Sequence, residues 1–587
     1  MIRTRSGLRL HWWATVCLAI CLALTPDLGL AETEKSYQVV IAGGSTAALA
    51  AAFTAAEEGA TVALLEPTDW IGGQLTSSGV PAVDEAWHQV KERKAADEGE
   101  SFSGELLVNV SAIARDPRNM TPFFREALEA LPKTADGWVS RYCFEPRDLL
   151  NQTLEPRAKE LSSKLTIYHD TVVKRVETDG RVITAIHAIR RTPREGIAEN
   201  GYDRLPSEDL TDWYSEEDSP RFTKKVLRFE GAIFVDATEW GEVLALSGAP
   251  MVQGVEYVDG ETDADDTCGQ SITFGFVQRM HAEPQDDHPK LPKDSALGFG
   301  AYRNREDAWQ KIWTYRRIRG LSAEAAPGDL SLQNWGFSVS DSEGGNDYPY
   351  KYLFLSREDT TEQCADWVGG VDLEVMANAE KRALAWHDWF RRHGPEEIDP
   401  DQITLAGDVL GTGHGLSKLP YIRDTRRSVG VDGFLLKFED LIGPNQRGPD
   451  FRATGAVFED RVALGAYAAD IHPLAFCTYP PYVHVNHPTL PFYIPLRALT
   501  NDGYDNLLVA GKTMAQTFLA NSATRLHPIE WSSGVAAGVF AADLVESGNA
   551  SSDAWRDYDR LRERVAKHTP VDWVIEEGLA PGLSDSE

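Results

Sequence analysis

Downstream of an N-terminal apolar stretch, apolar and small residues follow each other in an order typical of a strand, a helix and a second strand. A short apolar run rich in β-branched residues, at 37–41, stops at the small residues 42–47. Alanines then dominate as far as Ala56, and a second apolar run at 61–65 ends in Glu66. The two apolar runs have the length of buried strands, whereas the alanine-rich run is typical of a helix. The pattern therefore predicts a β-α-β unit.

The turn between the first strand and the helix is built from small residues. They are Ala42, Gly43, Gly44, Ser45, Thr46 and Ala47. Such residues let backbone N–H groups and a helix N-terminus approach a pyrophosphate, whose charge the helix dipole favours. Glu66 follows Gly44 by 22 positions, close to the offset of roughly 20 at which an acid reaches a ribose hydroxyl. Ala42 replaces the first glycine of the G-x-G-x-x-G/A pattern. A dinucleotide site is predicted, with an ordinary β-α-β unit as the alternative.

A glycine pair follows the second predicted strand almost at once. Gly72, Gly73 and Gln74 stand there, and paired glycines allow close backbone approach to a ligand. Here the chain resembles FAD-dependent oxidoreductases of the glutathione-reductase-like class, in particular a family of secreted bacterial flavoproteins. The resemblance recurs at residues 143–147, 234–242, 420–427, 470–472 and 506–542. It implies that residues 42–47, Glu66 and residues 72–74 bind FAD, with the glycine pair beside the ribityl chain.

The resemblance also implies FAD contacts farther along the chain. Residues 165–173 are predicted as one strand, which forms a hairpin with the following strand across Asp179 and Gly180. In the resembling family this region covers the adenine and Val173 is a backbone contact. A hairpin without a ligand is the alternative.

Two later strands end at residues to which the resemblance gives a cofactor role. Asp236 ends a strand near the pyrophosphate, or instead caps the helix that follows it. Gly511 ends the strand at 506–510, and Gly534 opens a small-residue helix whose amide end would face the flavin. Close helix packing is the alternative for Gly534.

The predicted fold is α/β: a Rossmann-type, glutathione-reductase-like FAD-binding domain with an interleaved α+β substrate or cap domain. The FAD-binding domain is predicted at 36–85, 140–250 and 490–546, the cap domain at 86–139 and 251–489, and a C-terminal extension at 547–587. Residues 191–225 are rich in Pro, Asp and Glu and are predicted as exposed loops or insertions. Residues 371–392 are predicted as a helix with a buried aromatic stripe.

The N-terminus has the features of a secretory leader. Three arginines precede an apolar run at 12–24, and small residues at 29 and 31 suit cleavage after Ala31. A signal peptide at 1–31 is predicted, with a membrane-anchored N-terminus as the alternative. No later segment approaches 18 uninterrupted apolar residues, so we expect a secreted or periplasmic protein without stable membrane insertion after leader removal.

The net charge limits which partners the protein can bind, and the cysteine spacing limits which metal or disulfide sites it can form. The formal net charge of −32 opposes binding to nucleic acid and to anionic membranes. Outside the predicted leader stand Cys143, Cys268, Cys364 and Cys477, without a C-x-x-C motif. Their spacing argues against a zinc or dithiol site, and one or two disulfides and buried thiols both remain open.

Arginine and histidine supply the candidate catalytic groups. Arg423 and Arg427 belong to a cationic cluster suited to carboxylate recognition, or to a salt-bridged surface helix. His472 is the first candidate for a general base, with His527 as a rival that is also predicted to be catalytic. His484 and His487 are further rivals, but their spacing and the intervening prolines give no metal-binding pattern, so no metal is predicted. Arg525 is a candidate cofactor or substrate contact.

These features together predict an exported FAD-dependent oxidoreductase. The expected substrate is a small polar molecule (sugar, hydroxy acid or amine) that gives a hydride to flavin N5. The glycine-rich segment at 411–415 lacks a following small-residue helix and is predicted to be a loop, not a nicotinamide site, so the electron acceptor stays unknown. The alternatives are a flavin-containing non-catalytic binding protein and an FAD-dependent non-redox lyase.

Overall fold

The computed structural model describes residues 33–86, 108–137, 139–255, 266–286, 308–335, 345–442, 453–474, 487–576 and 579. The predicted signal peptide, Cys477 and His484 therefore lie outside the described residues. Cys268 is disulfide-bonded, whereas Cys143 and Cys364 are in no disulfide. Within the described ranges, no helix combines the length and the apolar composition needed to cross a membrane.

The strands alternate with helices through the first part of the chain and again near its end. The strands are β1 (Thr33–Ala42), β2 (Val62–Leu65), β3 (Leu165–Tyr168), β4 (Thr171–Asp179), β5 (Val182–Pro193), β6 (Phe222–Asp236), β7 (Met251–Val252), β8 (Ile272–Thr273), β9 (Phe276–Met280), β10 (Arg317–Arg319), β11 (Leu330–Gln333), β12 (Asp347–Tyr348), β13 (Ile403–Leu405), β14 (Arg427–Ser428), β15 (Arg461–Gly465), β16 (Phe492–Pro495) and β17 (Leu507–Val509).

The helices range from single turns to two long helices of about twenty residues. The α-helices are α1 (Thr46–Glu57), α2 (Val110–Arg115), α3 (Pro122–Glu129), α4 (Pro146–Leu149), α5 (Glu155–Glu160), α6 (Pro206–Trp213), α7 (Glu242–Ser247), α8 (Ala308–Tyr315), α9 (Arg357–Gln363), α10 (Leu373–Arg392), α11 (Gly407–Leu410), α12 (Phe438–Ile442), α13 (Phe518–Thr524), α14 (His527–Ser547), α15 (Ser551–Ala554) and α16 (Tyr558–Val565). A π-helical stretch, Leu150–Leu154, joins α4 to α5. Short 3-10 turns include Gly73–Leu75 and Gly511–Thr513.

The largest sheet in the described residues has seven strands in the order β3-β2-β1-β6-β5-β4, with β17 also paired to β6. The strands β3, β2, β1, β6 and β17 run parallel, whereas β4, β5 and the first half of β6 form an antiparallel meander. Parallel strands joined through helices place their carboxyl ends at one edge, where ligands bind in open α/β sheets. The predicted Rossmann-type α/β fold is therefore confirmed.

Helices α1 and α14 cover this sheet and pack closely on each other. A Cβ atom on Gly534 would lie 2.3 Å from Ala47 O, and one on Gly538 would lie 2.5 Å from Ala51 O. Glycine at these positions lets the two backbones touch, which explains why both helices are buried nearly all round. Helix α14 begins at His527, so the expectation that Gly534 opens it is wrong. Gly534 lies inside the helix, against α1.

The hairpin predicted around Gly180 is present between β4 and β5. The single strand expected at 165–173, however, is two strands. Asp170 has a φ of +54°, which ends β3 in the parallel sheet and starts β4 in the meander. Left-handed backbone at a non-glycine residue is uncommon, and Asp is one of the residue types that tolerate it.

A second sheet in the order β10-β11-β9-β13 lies in the predicted cap region. Helix α10 packs in its core and carries the predicted aromatic stripe: Trp386 and Phe390 are fully buried, and Trp389 is half-buried. The expectation of exposed loops at 191–225 is wrong in part, because this segment holds α6, whose Leu210 and Trp213 are buried.

Candidate functional site

The small-residue turn after β1 lies at the carboxyl edge of the parallel strands. Gly43 has a φ of +112°, and a Cβ atom there would lie 2.4 Å from Ala237 O in the turn after β6. Ser45 caps α1: its Oγ accepts from Ala48 N at 3.0 Å and donates to Ala237 O at 2.7 Å. The first-turn amides of a helix have no intrahelical acceptor, so the start of α1 favours a bound anion. Ala42 closes β1 by accepting from Ala237 N at 3.0 Å.

Glu66 stands at the end of β2, directly beside this turn. Its Oε1 accepts from Thr68 N at 2.9 Å and from Thr68 Oγ1 at 2.8 Å, whereas its buried Oε2 has no partner among the described residues. A Cβ atom on Gly44 would lie 2.4 Å from both carboxylate oxygens. Burial raises the pKa of Glu66 to about 8. A buried acceptor beside bare backbone is suited to a ribose hydroxyl.

The glycine pair packs directly on the same turn. Gly72 O accepts from Thr46 Oγ1 at 3.1 Å, and a Cβ atom on Gly73 would lie 2.7 Å from Gly44 O and from Thr46 N. Gly72 and Gly73 both have positive φ values, of +108° and +58°. The turn, the acid and the glycine pair therefore meet in one place.

A cavity of about 430 Å³ opens at this edge. It is lined by Gly43, Gly44, Leu65, Pro67, residues 171–173, Leu210, Trp213, Tyr214, residues 238–240, Glu242 and Leu419. Val173 thus lines the cavity from the start of β4. Asp236 is buried below it, where Oδ1 accepts from Thr238 N at 3.0 Å and Oδ2 accepts from Leu244 N at 2.9 Å. Burial raises the pKa of Asp236, and its carboxylate shapes the turn that leads into α7.

Lys512, just after β17, lies between Glu530 in the first turn of α14 and the half-buried Glu239 in the turn after β6. Lys512 Nζ lies 2.6 Å from Glu530 Oε1 and 2.9 Å from Glu239 Oε2. Burial opposes the charge of Lys512, but the two carboxylates raise its pKa above the ordinary value. Gly511, with a φ of +68°, brings this segment against α1, where a Cβ atom would lie 2.8 Å from Ala47 Cβ. Sequence reasoning missed the triad; its signal was a lysine and glutamates inside otherwise apolar segments.

Gln74 connects the glycine pair to α14. Its Nε2 donates to Glu530 Oε2 at 2.9 Å and to Arg525 O at 3.1 Å, while its buried Oε1 has no partner in the described part of the chain. Arg525 is itself buried, so the exposed position usual for arginine does not apply.

A second group of charges, the His472 chain, extends from Arg525 (its members are Arg423, Asp347, His472, Asp470 and Arg525). His472 Nδ1 lies 2.6 Å from Asp347 Oδ2, and Nε2 lies 3.3 Å from Asp470 Oδ2. Arg423 Nη2 lies 3.0 Å from Asp347 Oδ1, and Arg525 Nη2 lies 3.1 Å from Asp470 Oδ2. The two aspartates therefore alternate with the two arginines and the imidazole.

The electrostatics of the His472 chain keep both acids ionised. Burial opposes the charge on Asp347 and Asp470, but His472 and the facing arginines lower the pKa of each below its ordinary value. Because Arg525 O accepts from Gln74, the His472 chain adjoins the glycine pair. The structure thus joins the predicted His472 and Arg423, and adds Asp347 and Asp470.

Two further candidates lie apart from the His472 chain. Arg427 is fully buried and donates to Gln516 O at 3.1 Å, Thr425 O at 3.0 Å and Gly254 O at 2.8 Å, so a surface helix is not its setting. These contacts hold backbone together, and a catalytic role for Arg427 stays a prediction. His527 Nδ1 accepts from Asp84 N at 3.1 Å, and its buried Nε2 has no partner in the described ranges.

The pKa of His527 is too low for a general base that acts near neutral pH. Burial lowers this pKa to about 3, so the imidazole is neutral at neutral pH and a weak proton acceptor. Among the described residues, no three His, Cys, Asp or Glu side chains are grouped so that they could hold a metal ion.

Comparison with known proteins places this geometry in a wider context. A family model described as "FAD dependent oxidoreductase" matches residues 38–199 and 215–565. No curated protein matches the chain in sequence. The chain is similar to the solved structure of L-proline dehydrogenase from P. horikoshii, with 13% identity over 39% of this chain and 25% of that chain and a TM-score of 0.15. It is also similar to a geranylgeranyl bacteriochlorophyll reductase-like protein from Thermoplasma acidophilum, with 10% identity over 91% of this chain and 85% of that chain and a TM-score of 0.29. A third similar structure is E. coli quinol fumarate reductase, with 11% identity over 91% of this chain and 74% of that chain and a TM-score of 0.29. The first match spans only a quarter of that chain, and none of these similarities is close enough to indicate a substrate.

Proposed function

Because the chain belongs to the FAD-dependent oxidoreductase family, we propose that it is an exported enzyme that oxidises a small polar substrate (a sugar, hydroxy acid or amine) by hydride transfer to flavin N5. FAD is the cofactor of the family. The residues at the sheet edge fit it, since Glu66 Oε2 is a buried acceptor without a partner among the described residues and Gly44 leaves no room for a side chain. The observation that carries the proposal is the His472 chain adjoining Gln74 and the glycine pair.

Different residues at the sheet edge would hold different parts of FAD. Gly43, Gly44 and the start of α1 suit the pyrophosphate, and Glu66 suits the ribose hydroxyls. The glycine pair at 72 and 73 is assigned to the ribityl chain. When bound, FAD supplies a hydride acceptor, and the protein must orient the substrate and remove a proton from it.

His472 is the group assigned to proton removal. Its Nδ1–H donates to Asp347 at 2.6 Å, whereas the unprotonated Nε2 lies 3.3 Å from Asp470, which can accept from Nε2 only after Nε2 has taken up a proton. Nε2 is therefore the atom that would accept the proton from a substrate hydroxyl or amine. The two aspartates fix the ring orientation and stabilise the positive charge that follows, as an acid does for a catalytic imidazole.

Arg423 and Arg525, at the two ends of the His472 chain, balance the negative charges of the two aspartates. Arg423 also donates to Ser271 O at 2.8 Å and to Thr273 Oγ1 at 2.7 Å, and Arg525 donates to Tyr421 OH at 2.7 Å. A planar guanidinium held in this way is suited to a carboxylate or to an oxygen that gains negative charge. A hydroxy acid, which carries a carboxylate, would be attracted most strongly by this positive charge, and a neutral sugar would be attracted least.

Anaerobic reduction of the bound flavin tests the proposal. The purified holoprotein is mixed with sugars, hydroxy acids and amines, and absorbance is followed at about 450 nm, where oxidised flavin absorbs. We expect one substrate class to bleach the flavin, and His472→Asn to slow the bleaching by about 10²- to 10⁴-fold with FAD still bound. His393→Asn is the matched control, because His393 is exposed and bonds to Trp389 O within its own helix.

Two results would contradict the proposal. A holoprotein that no compound bleaches is a binding protein that keeps its cofactor as a structural element. Product formation without any stoichiometric electron acceptor indicates a non-redox lyase. Export is tested separately, by N-terminal sequencing of protein recovered outside the cytoplasm, with cleavage after Ala31 as the expected result.

A further inference from the structure

One wall of the dinucleotide cavity is built by a segment that the family match omits. The match stops at residue 199 and resumes at residue 215, and α6 lies in this gap. Leu210 and Trp213 of α6 and the following Tyr214 line the cavity together with Gly43, Gly44 and residues 171–173. The wall is therefore a feature of this chain that the family pattern does not describe.

The structure holds this wall firmly in place. Ser207 N, at the start of α6, donates to Glu380 Oε1 of α10 at 2.8 Å. On the other side, Arg191 Cζ lies 3.9 Å from the centre of the Trp213 ring. Arg191 Nη2 also donates to Pro67 O at 2.8 Å, next to Glu66. Both the predicted cap region and the ribose-binding acid are thus linked to α6.

Two hydrogen-bond donors in the cavity lining have no partner. The indole nitrogens of Trp213 and Trp240 are buried, and neither has an acceptor among the described residues. The Trp213 and Trp240 side chains are 2% and 5% exposed, so bulk water does not satisfy them. Buried donors are nearly always paired, and two unpaired donors in one cavity point to a ligand that carries acceptors.

The position of these donors along the cavity identifies the ligand group. The helix N-terminus favours phosphate and Glu66 favours ribose, so the base of the nucleotide extends beyond Glu66. Residues 171–173, Leu210 and the two tryptophans belong to the remaining lining, together with Leu65, Pro67, Tyr214, residues 238 and 239, Glu242 and Leu419. The ring nitrogens of adenine are hydrogen-bond acceptors.

From this arrangement we infer that α6 forms an adenine wall, in which the indole N–H of Trp213 donates to a ring nitrogen of the adenine of FAD and the rest of the side chain packs at the edge of the base. The wall raises the affinity for the adenosine half of the cofactor and contributes nothing to binding of the flavin half. Trp240 supplies the second indole N–H from the turn before α7.

Trp213→Phe and Trp213→Ala test the wall by separating its two contributions. Release of FAD from the holoprotein and binding of FAD, ADP and FMN to the flavin-free full chain are measured by fluorescence. Trp213→Phe removes one neutral hydrogen bond, so we expect FAD and ADP to bind about two- to tenfold more weakly. Trp213→Ala also removes the packing surface of the side chain, and the loss should reach about tenfold to a hundredfold. FMN, which has no adenine, should bind as it does to the wild type.

Trp555→Phe is the matched control. The indole nitrogen of Trp555 is also buried and has no partner in the part of the chain that the structure describes, but Trp555 is absent from the cavity lining, so FAD and ADP affinities should not change. The inference is overturned if FMN weakens by the same factor as FAD, because the wall would then act through the fold. It is also overturned if Trp213→Phe, with an unchanged Tm, binds both FAD and ADP like the wild type.

Discussion

Gly44→Ala tests the fit between the turn after β1 and the acid at the end of β2. The added Cβ atom would lie 2.4 Å from both Glu66 carboxylate oxygens, nearer than real Cβ contacts allow. Gly44 is not among the glycines with a positive φ, so the substitution changes the space and does not strain the backbone. Either the Glu66 side chain or the turn must move.

The magnitude follows from what Glu66 loses when it moves. Its Oε1 bonds to Thr68 N and Oγ1 at 2.9 and 2.8 Å, and its Oε2 is assigned to the ribose. Because the raised pKa leaves Glu66 protonated at neutral pH, the bond is one between neutral groups, which contributes about 0.5–1.5 kcal/mol. Loss of one ribose bond therefore weakens FAD binding by about two- to tenfold, while the apo-protein keeps most of its stability.

The assay is titration of the flavin-free protein with FAD, paired with a thermal melt. Gly44→Ala combined with Glu66→Asp should recover part of the lost affinity, because the shorter side chain withdraws the carboxylate from the new methyl group. Gly394→Ala is the control, since Gly394 is absent from the cavity lining. The reasoning is refuted if Gly44→Ala binds FAD like the wild type, or if the double variant binds more weakly than the single one.

Four further predictions concern pH, catalysis and packing. Burial raises the pKa of Glu66 from an ordinary 4.5 to about 8 in the folded protein. The protonated side chain therefore contributes its full share of the unfolding free energy below pH 4.5, and this contribution is lost as pH rises through 8. Glu66→Gln should therefore flatten the Tm of the apo-protein against pH in this window, and an unchanged slope would contradict the assignment. Asp347→Asn weakens the 2.6 Å contact to His472, so flavin reduction should slow by at least about tenfold with FAD retained, and an unchanged rate counts against His472 as the base. His527→Asn keeps an acceptor, and because the lowered pKa already leaves His527 neutral between about pH 5 and 9, the shape of the pH–rate profile should not change; a shifted inflection would show that His527 titrates. Gly538→Ala adds a Cβ atom 2.5 Å from a backbone oxygen of α1, and a denaturant melt should show a loss of about 1–3 kcal/mol in unfolding free energy, whereas a neutral effect would mean that α1 and α14 can separate.

The cofactor end of the site was predictable because its parts are close together in the sequence. A strand, a helix and a second strand of ordinary length fix the distance from Gly44 to Glu66, so the spacing of 22 positions reports a contact in space. The positive φ values of Gly43, Gly72 and Gly73 explain why glycine stands at those positions.

The start of α14 carried a local signal that the prediction did not use. Pro528 occupies the first turn after His527, a position where proline is favoured because its missing N–H would be unbonded anyway. Alanine and glycine content instead suggested Gly534. Composition located the part of the helix that packs on α1, and only the proline marks where the helix begins. Helix α6 shows the same signal at Pro206.

The His472 chain could not be assembled from the sequence. Asp347 lies 125 positions from His472, and Asp470 lies 55 positions from Arg525. Nothing in the local pattern around Asp347 distinguishes it from the many acidic residues of this chain. Its partners are selected by the fold, since a buried carboxylate needs positive neighbours and the chain brings them from distant segments.

Completion of the cofactor site depends on the C-terminal part of the chain. The turn proposed to receive the pyrophosphate lies near the N-terminus, but Gly511 and α14 pack against Ala47 at the start of α1. Glu530, which holds Gln74 after the glycine pair, belongs to the first turn of α14. The sequence pattern that predicts the β-α-β unit therefore lies near the N-terminus, whereas the segments that pack against this unit lie near the C-terminus. Because α14 and Gly511 pack against the start of α1, we expect FAD to be captured only after residues 507–547 have folded.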